Sequence, residues 1–374
     1  MAMKNSVMKK NTIYLFIAAI IAVLGLIQCS DAPDDVIKAY DIDFNWGPGG
    51  DHGFAKPGLW ADANPEEHIQ WYQDFGCNVV QTFAVSCNGY AWYKNGFVPE
   101  QPGLIYDFLP EMVRLGHKRG MKIFGYFCAG ANNRWEEMHP DLCYQAHGQQ
   151  IPYTTQYLDY LCASIEDAII KTGIDGFMLD WLYNPGGGRE PLPPFRWIPC
   201  EQEMYVELMG EPFPGKENVT SEMELEFRRK SIDRAWTRIK ETAKKADPDC
   251  IIWLTAYELN SPEYEGLDLL KEADWVMNEA GDVARTESVN ILVGANTKLI
   301  TCLAWNKQDP LEIVEHAKSN NIGLYGFTKP VIGNMMKPVD YYLSHPVDSL
   351  ENDERNIAIL MRIYKGLPMD FVKR

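Results

Sequence analysis

The sequence predicts a single (β/α)8 TIM barrel, an α/β fold in which eight parallel strands alternate with helices and carry long βα loops. Eight short apolar or alternating runs recur along the 374 residues, and a stretch with helical spacing follows each of them. The pattern continues to the end of the chain, which favours one large domain over two smaller ones. An open doubly wound sheet is the alternative, and the count of eight units makes it the weaker one.

The eight predicted strands are apolar runs that lead into polar residues. They cover residues 36–46, 78–85, 121–130, 176–181, 250–258, 274–281, 298–305 and 322–328. The helices between them carry start and stop signals. Asn64 and Pro65 form an N-cap and first turn, whereas Gly120 and Gly173 end later helices.

The N-terminal residues have the pattern of an export signal. Lys4, Lys9 and Lys10 precede an apolar run over residues 13–27, which is short for a membrane-spanning helix. Cys29 follows in "LIQCSD", which resembles the lipobox of bacterial lipoproteins, and "SDAPDD" resembles the acidic tethers of some Bacteroidetes lipoproteins. This resemblance implies a lipoprotein signal peptide over residues 1–28, an acidic tether over 29–35 and a barrel over 36–374. It also implies an exported outer-membrane lipoprotein, on the cell surface or the periplasmic face, with Cys29 as its lipid anchor.

Composition excludes several classes of function. The formal net charge of −17 disfavours nucleic acid as a partner, because phosphate binding requires a basic surface, and it favours a neutral or cationic ligand. The other eight cysteines have neither CxxC nor zinc-site spacing, and we expect them to be small buried hydrophobic residues. P-loop, G-x-S-x-G and H-E-x-x-H motifs do not occur, so no cofactor or metal is predicted.

In barrels of this type, active sites lie at the carboxyl ends of the strands. Acids, amides and aromatic residues crowd these ends in the sequence. Aromatic rings stack on the C–H faces of sugars, and carboxylates, amides and Arg bind sugar hydroxyl groups. The pattern therefore predicts a carbohydrate partner. The candidate substrate-binding residues are Asp43, Trp46, His52, Asn88, Trp92, Asn132, Arg134, Trp135, Trp181, Tyr183, Tyr257, Asn278 and Trp305.

The fourth predicted strand carries the most specific motif, "GIDGFMLDW" at residues 173–181. By strand alternation Met178 and Asp180 share one face, so Asp180 is expected to point inward at the mouth of the barrel. The segment resembles the fourth-strand motif of retaining (β/α)8 glycoside hydrolases of the α-galactosidase, α-glucosidase, α-amylase and α-fucosidase groups. The chain as a whole is similar to glycoside-hydrolase-like bacterial lipoproteins. This resemblance implies that Asp180 is a catalytic nucleophile.

The same resemblance leaves the acid/base open. The α-galactosidase pattern places it after strand six, at Glu279 or Asp282, whereas the α-amylase pattern places it at the end of strand five, at Glu258. Glycoside cleavage mostly requires two carboxylates that flank the bond. The hypothesis is a glycoside hydrolase that cleaves an oligo- or polysaccharide by a two-carboxylate, retaining mechanism. The alternative is a non-catalytic barrel that binds glycans at the cell surface. Two residues before the Asp, the α-amylase pattern has Arg and the α-galactosidase pattern has Lys, whereas this chain has Met178. The sequence therefore does not indicate which sugar is the substrate.

Overall fold

A computed structural model describes residues 36–144, 151–182, 196–304 and 308–369 of the chain. Within the unit Ile37–Arg374, eight parallel strands close into a barrel in sequential order, which confirms the predicted fold class. The strands are β1 (Lys38–Ile42), β2 (Val79–Gln81), β3 (Lys122–Cys128), β4 (Gly176–Asp180), β5 (Ile251–Ala256), β6 (Trp275–Asn278), β7 (Lys298–Cys302) and β8 (Gly323–Thr328). The predicted signal peptide, Cys29 and the tether lie outside the described residues.

The strands are shorter than the apolar runs that predict them. The remaining residues of each run leave the sheet at its carboxyl end and form the start of the βα loop, where the candidate site lies. The described residues also form eleven α-helices. These are α1 (Pro65–Phe75), α2 (Phe108–Lys118), α3 (Asn133–Met138), α4 (Thr155–Thr172), α5 (Pro199–Met209), α6 (Ser221–Ala246), α7 (Leu269–Glu272), α8 (Val283–Asn290), α9 (Pro310–Ser319), α10 (Val339–Ser344) and α11 (Asn352–Tyr364).

The helix ends follow from the sequence. The Asn64 side chain accepts a hydrogen bond from the backbone N–H of Glu66, so it caps α1 as predicted. Gly173 adopts a left-handed conformation with φ of 68° and ends α4, a geometry that costs glycine little. Because α4 stops here, the chain reverses directly into β4 and delivers Asp180 to the barrel mouth.

Aromatic residues fill the lower part of the barrel. Phe124 of β3 stacks on Trp275 of β6 with ring centroids 4.6 Å apart, and Trp253 of β5 contacts both rings. Tyr325 of β8 lies above them, edge-on to Trp253 at 5.3 Å. This layer closes the barrel from below, so the space above it opens only toward the carboxyl ends of the strands.

All eight cysteines of the described residues are buried free thiols, as the sequence predicts. Burial raises the pKa of Cys87 and Cys302, which therefore act as small apolar side chains. Among the helices of the described ranges, none combines the length and the apolar character needed to cross a bilayer.

Gly281 lets the loop after β6 approach β7 closely. A Cβ atom at this position would lie 2.2 Å from the carbonyl oxygen of Cys302, and the Gly281 carbonyl accepts a hydrogen bond of 2.8 Å from Thr301. We expect Gly281→Ala to lower the free energy of unfolding by about 1–3 kcal/mol, because the added methyl overpacks this contact. Urea unfolding measures the loss. The control, Asn290→Ala at the exposed C-terminal end of α8, should change stability by less than about 0.5 kcal/mol.

Candidate active site

A cavity of about 280 Å³ opens at the carboxyl ends of the strands. Side chains of β1 to β6 and β8 line it, and they include carboxylates, aromatic rings and methionines. Its described lining residues are Asp41, Asp43, Asn45, Trp46, Gln81, Phe83, Cys87, Tyr126, Met178, Asp180, Trp181, Tyr257, Met277, Glu279, Tyr325 and Phe327. The site residues predicted from the sequence that line this cavity are Asp43, Trp46, Asp180, Trp181, Tyr257 and Glu279.

Asp180, the last residue of β4, is buried and receives two hydrogen bonds. The Tyr126 hydroxyl donates to Oδ2 at 2.8 Å, and the backbone N–H of Trp181 donates to Oδ1 at 2.7 Å. Burial raises the pKa of Asp180 to about 7, and the two hydrogen bonds oppose that rise because they stabilise the charged form. Asp180 is therefore held in one orientation and is ionised at pH values above about 7.

The hydrogen bond from Trp181 depends on an unusual backbone conformation. Trp181 has a φ of 55°, in the left-handed region that a bulky residue adopts only at a cost. The Tyr153 hydroxyl donates to the Trp181 carbonyl oxygen at 2.6 Å and helps to hold this peptide in place. The strained turn aims the Trp181 N–H at Asp180 and places the indole ring in the cavity lining.

Glu279 follows β6 and reaches the same cavity with weaker hydrogen bonding. The Thr255 hydroxyl lies 3.4 Å from Oε1 and also within 3.2 Å of the Met277 carbonyl oxygen, so its single proton is shared between two acceptors. Burial, together with the negative charges of Asp180 and Asp43, raises the pKa of Glu279 well above its usual range. Glu279 is therefore the carboxyl group that retains its proton when Asp180 ionises.

Two further acids lie at the carboxyl end of β1, Asp41 within the strand and Asp43 directly after it. Asp43 accepts a hydrogen bond of 2.7 Å from the backbone N–H of Asn45, and burial with the charge of Asp180 raises its pKa to about 7. Asp41 lies two residues earlier and points into the same space, since strand side chains alternate. Burial and the charge of Asp43 raise the pKa of Asp41 well above its usual range.

Glu258, the alternative acid/base, does not line the cavity. It is exposed, and it forms an ion pair of 3.2 Å with Arg285 of α8. Its neighbour Tyr257 lines the cavity, because alternation along β5 turns Thr255 and Tyr257 inward and Glu258 outward. The geometry therefore pairs Asp180 with Glu279. Asp282, the other position implied by the resemblance, caps α8 through the backbone N–H of Arg285.

Three candidate binding residues hold the loops together instead of lining the cavity. Asn88 is buried and exchanges hydrogen bonds with Gln101, and Trp92 stacks on Phe44 with centroids 4.5 Å apart. Asn278 accepts a bond from the N–H of Leu259 and donates to the carbonyl of Ala280. A polar or aromatic residue at a strand end can either line the cavity or stabilise the loop that follows. The sequence alone does not tell which of these two roles such a residue has.

The loop after β3 contains another group of candidates outside the lining. Asn132 caps α3, and Trp135 is buried against Tyr157 and Tyr160 of α4. Arg134, a candidate substrate-binding residue from the sequence, lies over the ring of Tyr90 at 5.9 Å.

His52 occupies a short turn after β1. It is exposed and lies 3.6 Å from the Glu136 carboxylate. The last two candidates, Tyr183 and Trp305, lie outside the described residues.

Tyr126 and Asp41 are functional candidates that the sequence prediction missed. Both lie inside strands, two residues before the strand-end positions that the prediction considered. Alternation indicates them, because Asp41 precedes Asp43 by two residues and Tyr126 precedes the inward-facing Cys128 by two. The β1 segment "YDIDF" carries two acids at this spacing, which is a signal for two inward carboxylates.

We expect Tyr126→Phe to move the acidic limb of the pH dependence of kcat/KM to higher pH. The hydroxyl stabilises the charged form of Asp180, so its removal raises the pKa of Asp180 and delays the ionisation of this residue as pH rises. Initial rates between pH 4 and 9 measure the shift. Tyr325→Phe is the matched control, because its hydroxyl donates to Gln81 and not to Asp180. An equal shift in both variants would contradict the assignment.

The comparisons with known proteins concern part of the sequence and the fold. A family model described as "Hypothetical glycosyl hydrolase 6" matches residues 64–181, which is less than half of the chain and ends directly after Asp180. Among curated protein sequences, none is significantly similar to the chain.

Solved glycoside hydrolase structures share the fold. The α-L-fucosidase isoenzyme 2 from Paenibacillus thiaminolyticus superposes with a TM-score of 0.59 at 15% identity, over 88% of this chain and 48% of that chain. The PgaB (BpsB) glycoside hydrolase domain from Bordetella bronchiseptica superposes with a TM-score of 0.53 at 13% identity, over 91% of this chain and 99% of that domain. This chain thus spans about half the length of the fucosidase, and at these identities the likeness concerns the fold. Together, the partial family match and the closed barrel support the assignment of the chain as a glycosidase-like (β/α)8 protein.

Proposed function

We propose that the chain is a retaining glycoside hydrolase in which Asp180 is the nucleophile and Glu279 is the acid/base. One observation carries this proposal: two carboxyl groups line one cavity at the catalytic end of the barrel and differ in their hydrogen bonding. Asp180 has two donors and is the better stabilised anion. Glu279 has one shared donor and retains its proton.

The chemistry follows from these two protonation states. The Asp180 carboxylate attacks the anomeric carbon while Glu279 gives its proton to the departing glycosidic oxygen, so the bond breaks as a glycosyl ester forms. The Glu279 carboxylate then takes a proton from water, which attacks the same carbon and releases Asp180. The retaining outcome is a proposal that rests on the roles given to these residues.

Carbohydrate is the substrate class that fits the cavity lining. Trp46, Trp181 and Tyr257 contribute aromatic rings to the cavity lining, and Asn45 and Gln81 contribute amides. Such a combination suits pyranose rings, which present C–H faces and hydroxyl groups together. We therefore propose an oligo- or polysaccharide as the substrate.

A screen of aryl glycosides in both anomeric forms, followed by bacterial and algal polysaccharides, tests this proposal. We expect at least one substrate to be hydrolysed, with a first product that keeps the anomeric configuration in proton NMR. Inversion would overturn the nucleophile role of Asp180. Glycan binding without hydrolysis of any substrate would overturn the enzyme and favour a cell-surface glycan-binding barrel.

We also propose that the chain is exported and anchored through Cys29 at the outer membrane. The basic residues, the apolar run and the cysteine that follows it support this proposal. Metabolic labelling with a radioactive fatty acid in a bacterial host tests it. The wild type should incorporate label and Cys29→Ser should not; equal labelling of both would exclude this cysteine as the anchor.

A further inference from the structure

The ionisable residues of the described cavity lining are all acids. Of its described lining residues, four are acids, namely Asp41, Asp43, Asp180 and Glu279, and none is Lys, Arg or His. A glycoside hydrolase needs two of these acids for the chemistry proposed above. The other two lie together at the carboxyl end of β1, where burial of a second pair of carboxyl groups costs free energy unless a partner compensates them.

Asp41 is the acid for which the described residues supply least compensation. Its side chain is 2% exposed, and its Oδ1 atom has no hydrogen-bond partner although it lies in the cavity lining. Gln81, its neighbour across β1 and β2, bonds the Thr82 carbonyl and the Tyr325 hydroxyl. Its side chain also interacts with Asp41 and lowers the pKa of that carboxyl against the effect of burial, but Oδ1 still has no partner. Asp41 thus lies at the floor of the cavity, roughly 7 Å below Asp43 along the strand, and one of its acceptor oxygens is buried there without a partner.

A metal ion does not account for this acceptor. Across the described ranges, no group of three or more His, Cys, Asp or Glu side chains has the arrangement of a metal site. An organic cation or a strong hydrogen-bond donor on the substrate is the remaining class of partner. The same charge disfavours acidic sugars, because a uronate or a sulfated ring would face four carboxyl groups, and the described lining offers no Lys, Arg or His.

We infer that the sugar ring that enters this cavity carries a free amino group, and that Asp41 binds it as an ammonium. An amino sugar without an N-acyl group is cationic at neutral pH. Its positive charge favours the carboxylate form of Asp41, which burial disfavours, and its N–H groups are the donors that Oδ1 lacks. An N-acetyl group would supply neither the charge nor as many donors, and it is larger. Asp41 is thus a specificity-determining residue, and the hydrolytic part of this inference rests on the glycosidase function proposed above.

Two measurements test the inference independently of hydrolysis. Isothermal titration calorimetry with glucosamine, galactosamine, N-acetylglucosamine and glucose should give the lowest Kd for a free amino sugar, by at least roughly tenfold over glucose. Asp41→Asn should reduce that ratio to near one, since the amide keeps the shape and loses the charge. Asp268→Asn, on the exposed α7 end, is the matched control and should leave the ratio intact.

Kinetics give the second readout. The ratio of kcat/KM for p-nitrophenyl 2-amino-2-deoxyglycosides to that for the neutral glycosides should exceed one in the wild type and fall in Asp41→Asn. Equal or tighter binding of glucose or N-acetylglucosamine, or a ratio that Asp41→Asn does not change, would overturn the inference. Failure of the proposed function has a different signature, namely selective binding of the amine without turnover of any glycoside.

Discussion

Asp180→Asn is expected to lower kcat/KM on aryl glycosides by at least about 1,000-fold while the substrate still binds. The amide keeps the shape of the carboxylate and can still accept one of its two hydrogen bonds, but it cannot attack the anomeric carbon, so no glycosyl ester forms. Steady-state rates measure the loss, and calorimetry with a substrate measures the retained binding. An unchanged rate would remove Asp180 from the catalytic machinery.

The same variant carries its own test of folding. Burial raises the pKa of Asp180 to about 7, so the folded state holds a proton that the unfolded state releases at lower pH. The stability contributed by this group is therefore present at acidic pH and lost as pH rises through about 7. The amide cannot ionise, and we expect the Tm of Asp180→Asn at pH 8 to exceed that of the wild type. An inactive variant with a lower Tm would point to misfolding instead of lost chemistry.

Glu279→Gln is expected to lower kcat/KM by about 100- to 10,000-fold on glycosides whose leaving group needs a proton. The glutamine cannot donate the proton that the departing oxygen requires. The loss should shrink for 2,4-dinitrophenyl glycosides, because that leaving group departs without protonation. This dependence on the leaving group separates an acid/base from a residue that only binds substrate.

Glu258→Gln is the matched control, since it makes the same chemical change at the rival position. Glu258 is exposed and paired with Arg285, so the variant should keep its activity to within about twofold. A large loss in Glu258→Gln with a small loss in Glu279→Gln would exchange the two assignments and would require the end of β5 to turn inward.

The barrel and its catalytic end were predictable because the signals are local. Each apolar run and each cap, such as Asn64 or Gly173, acts over a few residues, and eight repeats of strand and helix have few alternatives to closure. The position of Asp180 followed from the same signals, since it ends the fourth run and alternates with Met178. The structure confirms the eight strands in sequential order.

The roles of the other polar residues were harder to predict because strands of a barrel are buried on both faces. The hydrophobic pattern then does not show which of two neighbouring residues faces the barrel interior. The sequence alone therefore does not tell which of Glu258 and Tyr257 faces inward. Trp92 and Trp135 illustrate the same problem, since both are buried in the core and neither lines the cavity. A large aromatic residue at a strand end can either pack in the core or line the cavity.

The sequence by itself determined the closed barrel, the end of it that carries the candidate site and the place of Asp180, because periodicity and capping are short-range effects. Only the tertiary structure decided that Glu279 lines the same cavity as Asp180, that Tyr126 and the Trp181 peptide orient Asp180, and that Oδ1 of Asp41 is buried without a partner. These residues come from β1, β3, β4 and β6, which are far apart in the chain. Their pKa values depend on mutual distance and burial, and both quantities exist only after the strands have closed into the barrel.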